Sequence, residues 1–307
     1  MAVSEQTANI MLVGTSGLGK TFLLASISKR RFLADGAVQI KVQNLQKDAV
    51  LDAIIKNPRG ANIPSQGRRA IRGGLTVKTP VNALPLKWSQ IICYDQRGGD
   101  FQSFLDYEFD AKKSQFKTLF SEEFASVQGI IIVVSAQQFF GCPHYNPIRC
   151  KANRARSCGY ADLYKNCMTN NRYAVKRVIA SVAELTADSN IPVTIAVTHS
   201  SLVSSEDLQR IADTLTEYLQ DAYADSYRKP RYYLVDSIQA LTGKKSVWAN
   251  NISLPLCDIL YQLICQNKLE IEKEQSFYSK FAFGNFEEIK QQLKIALLDE
   301  IELRSKF

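Results

Sequence analysis

The sequence has no apolar stretch approaching the roughly 20 residues that a membrane-crossing helix needs, so no spanning segment is expected. Its N-terminus lacks a basic start followed by an apolar core, so no secretory leader is expected and the cytoplasm is the expected compartment. No internal repeat is visible, and none of the seven cysteines falls in a paired CxxC knuckle. In a chain of this size and expected compartment the cysteines read as thiols rather than disulfides. With 307 residues and 46% apolar composition, the chain can bury a large core, in one large domain with additions or in two.

Near its start stands "MLVGTSGLGKTFLL", residues 11 to 24, which contains the pattern GxxxxGK[ST]. That pattern has meaning only after a buried strand and before a helix. Both are expected here. Ile10, Met11, Leu12 and Val13 form an apolar run of strand length, and Phe22, Leu23, Leu24, Ala25 and Ile27 follow with helical character. Glycines at 14, 17 and 19 let the backbone curl so that its N–H groups converge on phosphate, and the helix N-terminus adds its dipole. The expected cradle is therefore Gly14, Thr15, Ser16, Gly17, Leu18, Gly19, Lys20, Thr21 and Phe22. Lys20 is expected to reach the β- and γ-phosphates and Thr21 to ligate Mg²⁺.

Further along, strand and helix signals alternate. Strands are expected at 37–42, 75–79, 86–95, 129–136, 191–198 and 231–237, and helices at 45–56, 112–127, 172–188, 205–223 and 253–266. Residues 57–74 read as a polar, arginine-bearing loop, and the helix from 205 begins on a serine cap. Such alternation implies an α/β fold, a mostly parallel sheet with helices on both faces.

The strand "SQIICY" ends in Asp95, followed by Gln96, Arg97 and Gly98. Together with the phosphate loop, this DxxG string resembles the Ras-like and translation-factor-class (TRAFAC) P-loop GTPases. A more distant likeness is to the bacterial double-GTPase type. "GIIIVVSAQQFF" is similar to that family's fourth core strand, "TIAVTHSS" stands in the place of its base-reading [NT]KxD, and "VDSIQA" in that of its SA-containing loop. The resemblance spans about residues 8 to 266 and implies GTP or another NTP with Mg²⁺ as cofactors. It assigns the metal to Thr21, Asp95 and Thr76, with Thr79 as the alternative to Thr76, the γ-phosphate to Gly98, and the base side to Thr198, His199 and Ser200.

Departures from the family pattern limit what it implies. Ser201 stands where the family has its guanine-reading aspartate, and His199 where it has lysine. Asp236 is a candidate substitute, with a strand-end cap as its alternative role. Gly99 stands where the family has its water-positioning glutamine, so hydrolysis is expected to be slow unless Gln96, Arg97 or a partner supplies the missing group.

Positive charge is concentrated in two stretches. Residues 56–78 carry a balance of +6 and residues 142–177 a balance of +7, against +8 for the whole chain. They fit an acidic partner or nucleic acid as well as a solvated loop. The insertion at about 141–171 holds Cys142, Cys150, Cys158 and Cys167, with His144. Zn²⁺ is one reading of this set and free thiols the preferred one. Residues 1–267 are expected to form the GTPase-like domain and 268–307 a C-terminal helical extension, where Phe286, Ile289, Leu293, Leu297 and Ile301 recur at helical spacing without strand signals. The function expected is a nucleotide-dependent switch with a protein effector or regulator. A P-loop ATPase or small-acceptor kinase, and a nucleic-acid- or partner-binding module with structural nucleotide, are the alternatives. The oligomeric state is left open.

Overall fold

A strand buried on both faces needs apolar residues at successive positions, and residues 10–13 supply them. In the computed structural model of the chain, β1 (Ala8–Val13) sends Ile10 and Leu12 into one apolar cluster and Met11 and Val13 into another. The structure describes residues 8–15, 17–29, 49–60, 69–73, 86–88, 91–95, 127–141, 172–224, 226, 229–266, 271–273, 291, 294–295, 298 and 301–302. After β1 come α1 (Lys20–Lys29), α2 (Ala49–Lys56), β2 (Arg69–Gly73), β3 (Leu86–Trp88), β4 (Ile91–Asp95) and β5 (Gly129–Ser135). Then follow α3 (Arg172–Thr186), β6 (Val193–Thr198), α4 (Ser205–Ala222), β7 (Arg231–Leu234), α5 (Ser237–Thr242), α6 (Val247–Asn250), α7 (Leu254–Cys265) and β8 (Ile271–Lys273).

Six strands form one sheet in the order β2-β4-β1-β5-β6-β7. Strands β4, β1, β5, β6 and β7 run parallel, and β2 is an antiparallel edge on β4. Successive parallel strands need a crossover, and α3 and α4 supply it between β5, β6 and β7. On one face α3 and α4 bury Val178, Ile179, Val182, Ile211 and Leu215 against Ile130, Ile132, Ile195 and Val197. On the other, α1, α2, α5 and α7 bury Leu23, Leu24, Ile54, Leu241 and Leu260 against Ile10, Leu12, Ile131, Val133 and Ala196. Helices thus cover both faces of a mostly parallel sheet. Contact is close under α7, where a Cβ on Gly129 would stand 2.5 Å from Ile259 Cγ2.

Several expected elements differ in detail. Residues 69–73, expected within a loop, form the edge strand β2. The single strand expected over 86–95 is two strands in two sheets, for β3 pairs antiparallel with β8. That pairing also puts a strand in the tail, where none was expected. Described residues between 291 and 302 are helical, and Ile301 is buried within the core cluster under α1 and α7. The serine cap of α4 is Ser204, whose hydroxyl accepts from Asp207 N, rather than Ser205. The strand expected at 37–42, the strand expected at 75–79 and the helix expected at 112–127 lie outside the described residues. Among the described residues no helix is long and apolar enough to cross a membrane.

Candidate phosphate-binding site

The chain leaves β1 at Val13 and enters α1 at Lys20, and glycine makes this short path possible. At Gly14, with φ +151°, a Cβ would fall 2.3 Å from the carbonyl oxygen of Val133 on the neighbouring strand β5. Gly17 and Gly19 hold φ of +81° and +82°, the left-handed region that side chains disfavour. Within the resulting loop Lys20 folds back. Its ammonium donates to the carbonyls of Gly14 at 2.8 Å and Thr15 at 2.9 Å, and the residue is only 6% exposed. Thr15 is fully buried, and its hydroxyl has no hydrogen-bond partner among the described residues. Thr21 is half-buried in the first turn of α1, and Phe22 packs on the core.

The end of β6 is tied to this loop. The Thr198 hydroxyl lies 2.8 Å from the Leu18 carbonyl and 3.0 Å from that of Val134, so its proton is shared between the loop and β5. His199 follows in the left-handed region at φ 57°, and its ring faces Gly19, 3.6 Å from where a Cβ would stand. Its Nδ1 lies 3.0 Å from the Ser135 hydroxyl and 3.2 Å from that of Thr198. Burial pushes its pKa below the usual histidine value, partly opposed by the Asp236 carboxylate, so the ring is neutral at pH 7. Ser200 turns away from the loop, donating from its hydroxyl to Val197 O at 2.8 Å.

A second tie runs through α5. Asp236 caps that helix by accepting from Gln239 N at 2.8 Å, and it also accepts the Ser201 hydroxyl. The carboxylate expected as a stand-in at 201 is therefore in hydrogen bond with the residue at 201. On the far side of α5, the Ser26 hydroxyl lies 3.2 Å from Ser237 O, and Lys29 donates to Leu241 O. Helix α1 is thereby fastened to the β7–α5 corner.

The structure thus brings together Gly14, Thr15, Gly17, Leu18, Gly19, Lys20, Thr21 and Phe22 with Thr198 and His199, while Ser200 serves the strand junction. Asp95 is described in backbone, where it ends β4 directly beside Leu12 of β1. Ser16, Thr76, Thr79, Gln96, Arg97, Gly98 and Gly99 lie outside the described residues, as do Cys142, Cys150, Cys158 and Cys167. Among the described residues no group of three His, Cys, Asp or Glu could hold a metal, and neither Cys257 nor Cys265 is in a disulfide. Part of the second basic stretch is the surface of α3. There Lys176 pairs with Asp221 at 2.8 Å, and Arg177 lies 5.6 Å from the Tyr173 ring centre. Sequence reasoning missed Ser135, which anchors His199; its place at the end of an unbroken apolar strand was the available signal.

Neither a protein-family model nor a curated protein matches the sequence. Among solved structures the chain is similar to translation elongation factor SelB from Methanococcus maripaludis, in complex with the GTP analogue GppNHp. The identity is 10% and the TM-score 0.40, over 88% of this chain and 36% of that one. The chain therefore spans little more than a third of that protein's structure.

Proposed function

We propose that the chain is a nucleotide-dependent switch that binds GTP with Mg²⁺ and hydrolyses it slowly. The observation that carries this reading is the buried Lys20 ammonium, held on the Gly14 and Thr15 carbonyls inside a loop bent by glycines at the N-terminus of α1. A cation beside glycine-bent backbone at a helix N-terminus makes an anion site suited to phosphate. Thr21 and Asp95 offer hard oxygen donors, one in the first turn of α1 and one at the adjacent strand end, which suits Mg²⁺. Thr76 would complete that set, and Gly98 would meet the γ-phosphate. An ion held by these residues would neutralise charge on the phosphates.

Base recognition belongs to the strand ends. Thr198 and His199 line the side of the cradle away from Asp95, and Asp236 is the carboxylate assigned to the N–H donors of guanine. A P-loop ATPase or small-acceptor kinase is the second reading, and one observation favours it. Asp236 already accepts from Gln239 and Ser201, and residues 199–201 bring no carboxylate of their own.

Single-turnover hydrolysis of GTP and ATP tests the proposal. With no side chain at Gly99 to orient water, turnover is expected well below one per second, with GTP preferred and Arg97→Ala nearly unchanged. Fast turnover that Arg97→Ala abolishes would overturn the slow switch, and a preference for ATP would favour the second reading.

A further inference from the structure

A cleft of about 820 Å³ lies between α4, the edge strand β7 and α6, and it shares no residue with the phosphate loop. Its volume is that of a small-molecule site. Leu208 and Ala212 of α4, Tyr232 of β7 and Trp248 of α6 line it. At the start of β7 stand Lys229 and Arg231, whereas Trp248 belongs to the other end, its carbonyl accepting from Asp236 N just beyond Leu234. Three strand steps separate these ends, about 10 Å. Charge is one-sided, since no acid occurs among the described residues that line the cleft. Arg231 gives one nitrogen to the buried Asp258 at 3.5 Å, and its side chain stays 49% exposed with further donors to offer. Lys229 is exposed beside it.

We propose that this cleft is a second ligand site, for an amphipathic acid: an anionic head on an apolar tail or ring about 10 Å long. The head meets Lys229 and Arg231, and the body lies on Tyr232 and Trp248 between α4 and α6. An apolar wall alone would accept any greasy molecule; exposed Lys229 and the donors of Arg231 left over from Asp258 select the acid. None of the lining residues belongs to the β1–α1 loop, so the proposal stands independently of the nucleotide reading.

Calorimetric titration with decanoate at monomeric concentrations tests it, with 1-decanol as the uncharged comparator. Decanoate is expected to bind one per chain and at least tenfold more tightly than decanol. Exposed Lys229→Glu should weaken decanoate about tenfold without changing the melting temperature, and Ala212→Trp should remove binding by filling the cleft. Should Ala212→Trp fail to fold, Lys229→Glu alone decides. Absence of saturable decanoate binding, equal affinity for decanol, or unchanged binding in Lys229→Glu would overturn the proposal. So would an acidic peptide that binds this face when decanoate does not.

Discussion

Single residues divide into those that shape the phosphate loop and those that would work in it. Gly14→Ala should be among the most damaging changes, because its Cβ would collide at 2.3 Å with backbone that cannot yield. Gly17→Ala meets nothing within 4 Å and carries only the left-handed strain, about 1 kcal/mol. Denaturant melts of the two variants should therefore differ clearly, and equal losses would contradict the loop geometry. His199 gives a pH signature. Its folded pKa lies below its unfolded one, so the folded state resists protonation, and stability is lost as pH falls below about 6.5. Urea midpoints at pH 7.5 and 5.5 should differ less in His199→Gln than in the parent chain. The glycine positions were legible in the sequence because the motif fixes them. The contact of His199 with Ser135 was not, because a pair 64 residues apart leaves no local signal.

Among the elements, those buried on both faces were the readable ones. Strands β5 and β6 are buried at every position and mostly apolar, so length and composition sufficed. Edges were opaque. Strand β2 reads RAIRG, two arginines in five residues, and only pairing with β4 makes it a strand. Strand β8 has three residues, and α5 and α6 have six and four, too short for any period to show. The β7–α7 clamp offers a test at this scale. Asp258 is fully buried and accepts from Tyr233 at 3.0 Å and Gln262 at 3.2 Å, with Arg231 at 3.5 Å. Burial raises its carboxyl above the usual range, so the charged form depends on these partners. Arg231→Met should cost about 1–3 kcal/mol, the low end for a buried pair because the arginine is half-exposed. Asp258→Asn should cost less, since the amide still accepts and carries no charge. Chemical denaturation would contradict the clamp if the order were reversed.

For the whole molecule, the parallel sheet places the glycine loop, the end of β4 and the end of β6 at one edge, where ligands of such sheets gather. Thr198 ties the loop to β6, and Ser26 and Lys29 tie α1 to the β7 corner. Thr198→Val should loosen this coupling, lowering nucleotide affinity severalfold and stability by about 1 kcal/mol. Melting curves with and without nucleotide separate those two effects. The central claim is that this edge holds a triphosphate through Lys20, with the di- and triphosphate bound unequally, as a switch requires. Calorimetric affinities of GTP, GDP, ATP and ADP with Mg²⁺, for the parent chain and Lys20→Ala, test it most directly. The account predicts one site per chain, unequal affinity for GTP and GDP, and a loss on Lys20→Ala of about tenfold or more in triphosphate affinity, the worth of a charge-assisted contact. Binding that Lys20→Ala leaves unchanged, or no nucleotide binding at all, would contradict it.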